Sequence, residues 1–370
     1  MGREGVVQCH ADRMSRILLI GADGGKRRHY FQKAAASRGI PVDFLDWKEI
    51  WSLCPEAEDV NAGGERGLLS KHRDSLLFQQ ENLRQYAVKI DAPEWESCQL
   101  SELGRLTDQY VEWLRRLSRL QAGNFLNQPS GIAEVLDKRK CKERLVRNGV
   151  SVTQMYEERF SRGEELLAFM KEHRLGQVFV KPVRGAGAAG VAALRFSPGN
   201  GKLALYTCAA LEQGVLFNTK RMYRLEGKKA VDLLDSLLKL DCIVERWYGK
   251  AVFQGYCYDL RVIVQGGRID YILPRLSKGP ITNLHLNNHA MAFPELHLDK
   301  ITVERISEVC LRAADCYPGL KSIGMDVLLE QGKLTPRIIE MNAQGDLLHR
   351  DAYGENRIYG RQIEMMTEGK

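Results

Sequence analysis

The 370-residue chain contains no apolar run near the ~20 residues that a membrane-spanning helix needs. Its first residues, MGREGVVQCHADRMSR, lack the apolar centre of a secretory signal, so the sequence places the protein in the cytoplasm with no membrane partner. Nine cysteines are scattered singly without a CxxC pair, and the odd total suits reduced thiols better than a disulfide framework or a zinc ribbon. His285, His289 and His297 fall in a loop-like stretch without an HExxH context, which argues against a zinc site. Basic runs are also lacking. Fifty-four Lys and Arg against 47 Asp and Glu leave +7, an excess that can serve anionic ligands but does not read as a nucleic-acid arm. With 44% hydrophobic and 27% charged residues, the composition excludes a disordered or fibrous chain.

The length favours two or three packed lobes. RILLIGA, residues 16–22, reads as a buried parallel strand stopped by Gly21, Gly24 and Gly25. A helix over 26–37 and a strand over 42–45 complete a βαβ opening, whose GADGGK turn lacks the GxGxxG spacing of a dinucleotide site. Residues 56–70 read as a polar loop, and helices are expected over 74–86 and 100–121. The second places Leu106, Tyr110, Trp113, Leu114, Leu117 and Leu120 near one face, the stripe of a core-facing helix. Pro129 and Gly131 mark a boundary near residue 125. Beyond it come a helix closed by Gly149, a strand at VSVTQMY, a helix at EELLAFMKEHRL, and glycine-cornered strand pairs: YDLRVIV with IDYILPRL, and GMDVLLE with RIIEMN.

Three stretches carry chemistry. In VFVKPVRGAGAAGVAAL, a strand ends in Lys181 before Gly185, Gly187 and Gly190 free the backbone. Such a loop lets N–H groups approach phosphate oxygens while the ammonium supplies a point charge; a flexible hairpin tip is the plainer alternative. It is not a P-loop, because GxxxxGK[ST] is absent. In the second stretch, Asp326 lies on one strand, with Glu340 and Asn342 on one face of its partner, an oxygen set suited to Mg²⁺. Third, Asp259 with Arg261, and Asn283 with His285, share faces at i, i+2, and Arg275 ends the strand between them. A guanidinium there can hold a carboxylate or a phosphoryl group, surface ion pairs being the bland reading.

Taken in order, Asp137-Lys138, the strand lysine before a glycine loop, Val-Glu-Arg-Trp-Tyr, Asp-Leu-Arg, Thr-Asn-Leu-His and an Asp followed by Glu-x-Asn resemble the ATP-grasp superfamily. The pattern is most similar to the branch of bacterial glutathione synthetases and the glutamate ligases that extend a ribosomal-protein tail, over roughly residues 127–345. The resemblance implies an α/β fold, α+β in the grasp lobes: an N-terminal Rossmann-like pre-ATP-grasp domain (14–125), a small lobe with its linking helix (126–245) and a large lobe with the metal site (246–370).

It also implies roles. Lys138 and Lys181 would reach the α- and β-phosphates, and the loop of Gly185, Gly187 and Gly190 would close over the γ-phosphate. Glu245, Arg246 and Trp247 would form the hinge that reads the adenine edge, and Asp259 would meet the ribose. Asn283 would join the phosphate–metal shell, Arg275 would stabilise acyl-phosphate oxygens, and Asp326, Glu340 and Asn342 would hold Mg²⁺ or Mn²⁺ beside ATP. The implied activity joins a small-molecule carboxylate to an amine or thiol through an acyl phosphate. A peptide or protein acceptor and a non-catalytic ATP-binding module are the alternatives. Oligomeric state is left open, relatives forming dimers or tetramers. Three departures stand out: alanines at 186, 188 and 189 in the glycine loop, no acidic residue soon after the hinge, and NAQGDLLHRD in place of Asn-x-Ser-Pro-Gly.

Overall fold

The computed structural model describes residues 16–52, 86–119, 124–185, 187–286, 288–344 and 348–368. In chain order these form β1 (Arg16–Gly21), α1 (Lys26–Ala36), β2 (Val42–Asp46), α2 (Trp47–Ser52), β3 (Tyr86–Ile90), α3 (Leu100–Leu117), β4 (Asn124–Phe125), α4 (Pro129–Val135) and α5 (Lys138–Arg147). Then come α6 (Gly163–Glu172), β5 (Gln177–Pro182), β6 (Ala192–Phe196), β7 (Leu203–Glu212), β8 (Val215–Glu226), α7 (Gly227–Leu238) and β9 (Cys242–Arg246). The last stretch holds β10 (Val252–Phe253), β11 (Tyr256–Gln265), β12 (Arg268–Ser277), β13 (His289–Ala290), α8 (Lys300–Asp315), β14 (Ser322–Leu329), β15 (Pro336–Asn342), α9 (His349–Ala352) and α10 (Arg357–Thr367).

The chain divides into two compact units. The first is a parallel α/β layer of order β2-β1-β3-β4. Ile17 and Leu19 of β1 pack on Phe31, Ala34 and Ala35 of α1, and the C-terminal α10 adds Tyr359, Ile363 and Met366 to the same core. Residues 348–368 therefore return to the first unit instead of completing the large lobe expected over 246–370, because the apolar face of α10 is covered by α1. The expected helix over 74–86 lies outside the described residues except for Tyr86, which opens β3.

The second unit spans 94–117 and 128–345 and carries two antiparallel sheets. The smaller has the order β8-β7-β6-β5-β9. Leu166 and Met170 of α6 and Leu233 and Leu237 of α7 cover its apolar face. The larger runs β13-β12-β11-β14-β15, with β10 added to β11. Helix α8, capped by the Asp299 carboxylate on the Thr302 N–H, packs across β11, β12, β14 and β15.

Two sequence expectations change here. Helix α3 forms as its spacing predicts and buries Tyr110, Leu114 and Leu117, but with the second unit: Leu100 joins the small-sheet core and Gln99 bridges to Phe217. Periodicity marks an apolar face without saying what covers it. VSVTQMY, read as a strand, is an extended segment shared between sheets. On one side Thr153 N–H donates to Ile338 C=O and Ile338 N–H to Ser151 C=O; on the other, Tyr156 N–H donates to Val244 C=O and Arg246 N–H to Gln154 C=O. Residues 151–156 thus fasten the edge of β15 to the edge of β9 and set the spacing of the cleft above them.

Candidate active site

A cleft opens in the second unit, lined from the small sheet by Phe179, Lys181 and Glu245 and from the large sheet by Asp259, Arg275, Asp326 and Glu340. Its large-sheet wall follows from strand register. Arg261, Asp326 and Glu340 are cross-strand neighbours in one row over β11, β14 and β15, and Arg275 faces Asp259 in the next. Period-two alternation aims all five side chains at the same face.

Those side chains form a ladder of alternating charge. Lys250 Nζ lies 3.2 Å from Asp259 Oδ2, and Asp259 Oδ1 accepts from Arg275 Nε at 2.8 Å. Arg275 Nη2 is 3.0 Å from Asp326 Oδ2, and Asp326 Oδ1 lies 2.9 Å from Arg261 Nη1. Thr282 Oγ1 donates to Asp259 and receives from Lys250 Nζ at 2.7 Å. Burial alone would raise the Asp259 carboxyl, but Arg275 and Lys250 outweigh it and hold the group well below the usual carboxylate range. Asp326 goes the other way: burial pushes it up, with Asp259 and Glu340 adding to the effect against Arg261 and Arg275. A cation between Asp326 and Glu340 would reverse that penalty.

On the small-sheet wall, Lys181 Nζ donates to Glu245 Oε2 at 2.8 Å. Glu245, 1% exposed, also takes Thr153 Oγ1 at 2.9 Å and lies 3.2 Å from the Lys142 ammonium. Burial would raise the Glu245 carboxyl, yet Lys142 and Lys181 hold it below its ordinary value. Burial lowers Lys142 in turn, with Glu245 opposing.

Asp137 caps α5 through the Lys140 N–H and so fixes Lys138 in the first turn. From there Lys138 Nζ donates to Gly185 C=O at 2.6 Å and sits 3.8 Å from Glu340 Oε1. The glycine loop is thereby tied to the helix start and the carboxylate row. Gly190 is held at φ +68°, and a Cβ there would stand 2.8 Å from Pro182 Cγ and 3.2 Å from Leu100 Cδ1. Gly187 at φ +64° faces open space, and Ala188 takes a positive φ as well.

The structure brings Lys181, Glu245, Arg246, Asp259, Arg275, Asn283, Asp326 and Glu340 to the cleft lining. Four placements differ from expectation. Asp259, expected to meet a ribose, is 2% exposed and spent on Arg275, Lys250 and Thr282. Trp247 is absent from the lining and packs against Phe179, ring centroids 5.1 Å apart. Two backbone groups of the expected adenine hinge, the Arg246 N–H and the Trp247 C=O, already bond to Gln154 C=O and Gln177 Nε2. Asn342 continues the β15 face two residues past Glu340 but does not line the cleft.

Sequence reasoning missed Lys142, Thr153, Lys250 and Thr282. Lys142 carried a signal, since i, i+4 puts it on the face of α5 that holds Lys138. Among the described residues no group of three or more His, Cys, Asp and Glu is gathered for a metal. A divalent ion in the cleft would draw on the Asp326 and Glu340 carboxylates, completed by water and phosphate. Those are hard donors with open positions, which fits Mg²⁺ better than zinc.

No family model matches this chain, and no curated protein matches it in sequence. Solved structures do. D-cycloserine synthetase DcsG matches over 96% of this chain and 100% of its own, with a TM-score of 0.57 at 13% identity. The ATP-grasp ligase PsnB, complexed with a minimal precursor, matches over 96% and 99%, with 0.55 at 16%. The macrocyclase MdnC, bound with precursor peptide MdnA from Microcystis aeruginosa MRC, matches over 95% and 99%, with 0.57 at 12%. At such identities the likeness is one of architecture, and the architecture of this chain is the ATP-grasp fold.

Proposed function

We propose that this protein is an ATP-dependent ligase that joins a carboxylate to an amine or thiol through an acyl phosphate. The observation that carries the reading is the charge balance of one cleft. Lys138, Lys142, Lys181, Arg246, Lys250, Arg261 and Arg275 line it or pair directly with its lining, against Glu245, Asp259, Asp326 and Glu340. Seven cations against four carboxylates in a partly desolvated groove favour a polyanion.

In this reading Lys181 and Lys138 neutralise the phosphate chain, and Phe179, Tyr248, Leu328 and Ile339 supply the apolar contacts a base needs. Asp326 and Glu340 would hold Mg²⁺, with Asn342 next along the same face of β15, and the ion would supply further charge neutralisation at the phosphoryl group. The substrate carboxylate oxygen bonds to the γ-phosphorus as the bond to ADP breaks. The nucleophile then attacks the acyl carbon, loses its proton, and phosphate departs. Arg275, held in place by two carboxylates, faces the oxygens on which charge develops, and closure of residues 185–190 keeps water from the acyl phosphate.

The motif likeness to glutathione synthetases supports a small-molecule or amino-acid acceptor, whereas the glutamate ligases of that branch act on a protein tail. The likeness to PsnB and MdnC, each bound to a precursor, favours a second reading in which the acceptor is a peptide. A phosphate-release screen over carboxylic acids paired with amines, thiols and peptides tests both. Phosphate release that requires one acid and one nucleophile, with a product of their summed mass less water, supports the proposal. ATP binding without ADP formation across the whole screen contradicts it and leaves a nucleotide-binding module.

A further inference from the structure

Lys142 is buried in α5 and does not line the cleft, yet its ammonium belongs to the same bonded group as Lys181. It lies 3.2 Å from Glu245 Oε1, donates to Thr153 Oγ1 at 2.6 Å and to Thr153 C=O at 3.2 Å. Thr153 Oγ1, so oriented, donates to Glu245 Oε2, the oxygen that also receives Lys181 Nζ. One carboxylate, 1% exposed, is thus shared by two ammonium groups. A Lys181–Glu245 pair alone would be neutral, with its attraction for an approaching anion spent internally. With Lys142 ion-paired to the other carboxylate oxygen, the group carries one net positive charge, and of its two ammonium groups Lys181 lines the cleft, beside Glu245 and Thr153, while Lys142 does not.

We propose that Lys142 is a positioning residue: by sharing Glu245 it leaves the Lys181 ammonium oriented toward the cleft and incompletely neutralised, so that the group attracts the phosphate chain of a nucleotide. The inference rests on the nucleotide-binding reading of the cleft. Burying an uncompensated cation disfavours the empty protein and favours the anion-bound one, so the cost of burial becomes affinity. Helix geometry places Lys142 one turn beyond Lys138, and the fastening of 151–156 to both sheets places Thr153 between the two lysines.

A charge cycle tests it, with Mg²⁺·ADP as the probe in isothermal titration of the purified full chain. Lys142→Met brings the group to zero and is expected to weaken binding by roughly tenfold, the scale of one charge removed at short range in a partly desolvated site. Lys142→Met with Glu245→Gln restores one net positive charge without restoring any of Lys142's bonds, and is expected to recover binding to within about threefold of wild type. A merely structural lysine predicts the opposite, since the double variant would then bind no better than the single one. Wild-type affinity in Lys142→Met, or no recovery in the double variant, overturns the proposal. Should Lys142→Met not fold, the double variant, which leaves no unpaired buried carboxylate, decides alone: affinity near wild type supports the proposal and a tenfold loss overturns it. Failure of the wild-type chain to bind Mg²⁺·ADP would instead count against the nucleotide reading of the cleft.

Discussion

Lys181 Nζ lies 2.8 Å from Glu245 Oε2, a buried pair in which the carboxylate has a second ammonium, Lys142, on its other oxygen. Removing Lys181 therefore does not strand Glu245. Lys181→Met is expected to fold and to lose ATP turnover by about two or more orders of magnitude, as removal of one preorganised charge does. ADP formation by the purified variant, beside its far-ultraviolet circular dichroism, is the measurement. Unchanged turnover would remove Lys181 from the phosphate site.

Glu340 contrasts with that buried pair. Its carboxylate is partly exposed and lies 3.8 Å from Lys138, so Glu340→Gln should change stability by no more than about 1 kcal/mol. Turnover is expected to fall by two or more orders of magnitude, with a higher Mg²⁺ concentration needed for half-maximal rate. Titrating Mg²⁺ and Mn²⁺ against phosphate release checks this. Full activity in chelator, with metal removal verified, contradicts a metal role for the Asp326–Glu340 row.

Asp259 sits between Arg275 and Lys250 with almost no exposure. Asp259→Asn leaves two buried cations facing a neutral amide, and breaking a buried pair from one side typically costs about 3–5 kcal/mol. Urea unfolding should show that loss directly. A variant as stable as wild type would mean that water reaches the ladder in solution.

How far the chain could be read follows from the range of the interactions involved. The opening β1-α1-β2 and the β11/β12 and β14/β15 pairs were legible because apolar runs and glycine corners are local signals. The gathering of Lys181, Arg275, Asp326 and Glu340 around one cleft was legible only through the order of motifs resembling a known family. What escaped reading depends on partners far along the chain. Leu100 packs in the small-sheet core and so assigns α3 to the second unit. Residues 151–156 divide their hydrogen bonds between two sheets. At the expected hinge, the Arg246 N–H is taken by Gln154, which no spacing rule shows.

Gly190 gives a test of the loop scaffold. At φ +68°, with Pro182 and Leu100 side chains inside contact distance of any added Cβ, Gly190→Ala adds backbone strain to a clash. An expected loss of about 1–3 kcal/mol follows, read as a lowered melting temperature. Gly187→Ala meets no neighbour and should show only the strain of its positive φ. Equal losses for the two would show that the Pro182 contact does not constrain the loop.

The buried thiols of the second unit set its alkaline limit. Burial pushes Cys141 and Cys208 up to about 11, and Cys242 and Cys310 up to about 12. An unfolded thiol titrates near 8.5, so between that pH and the folded values the native state binds more protons than the unfolded chain. Stability is then full below roughly pH 8.5 and falls as pH rises, by up to about 1.4 kcal/mol per pH unit for each thiol. Lys142 acts in the opposite sense: its lowered folded value makes the unfolded chain bind more protons below about pH 10.4, and that contribution rises with pH. Lys89, lowered by burial as well, adds to it, and from about pH 9 upward the four thiols outweigh the two lysines. Urea melts under reducing conditions between pH 9 and 10 should show a falling unfolding free energy, and Cys310→Val, which keeps the buried volume without the proton, should lessen the slope by about one thiol's share. A flat profile from pH 9 to 10 would mean that these sulfurs titrate as freely in the fold as out of it, and that the second-unit core admits water.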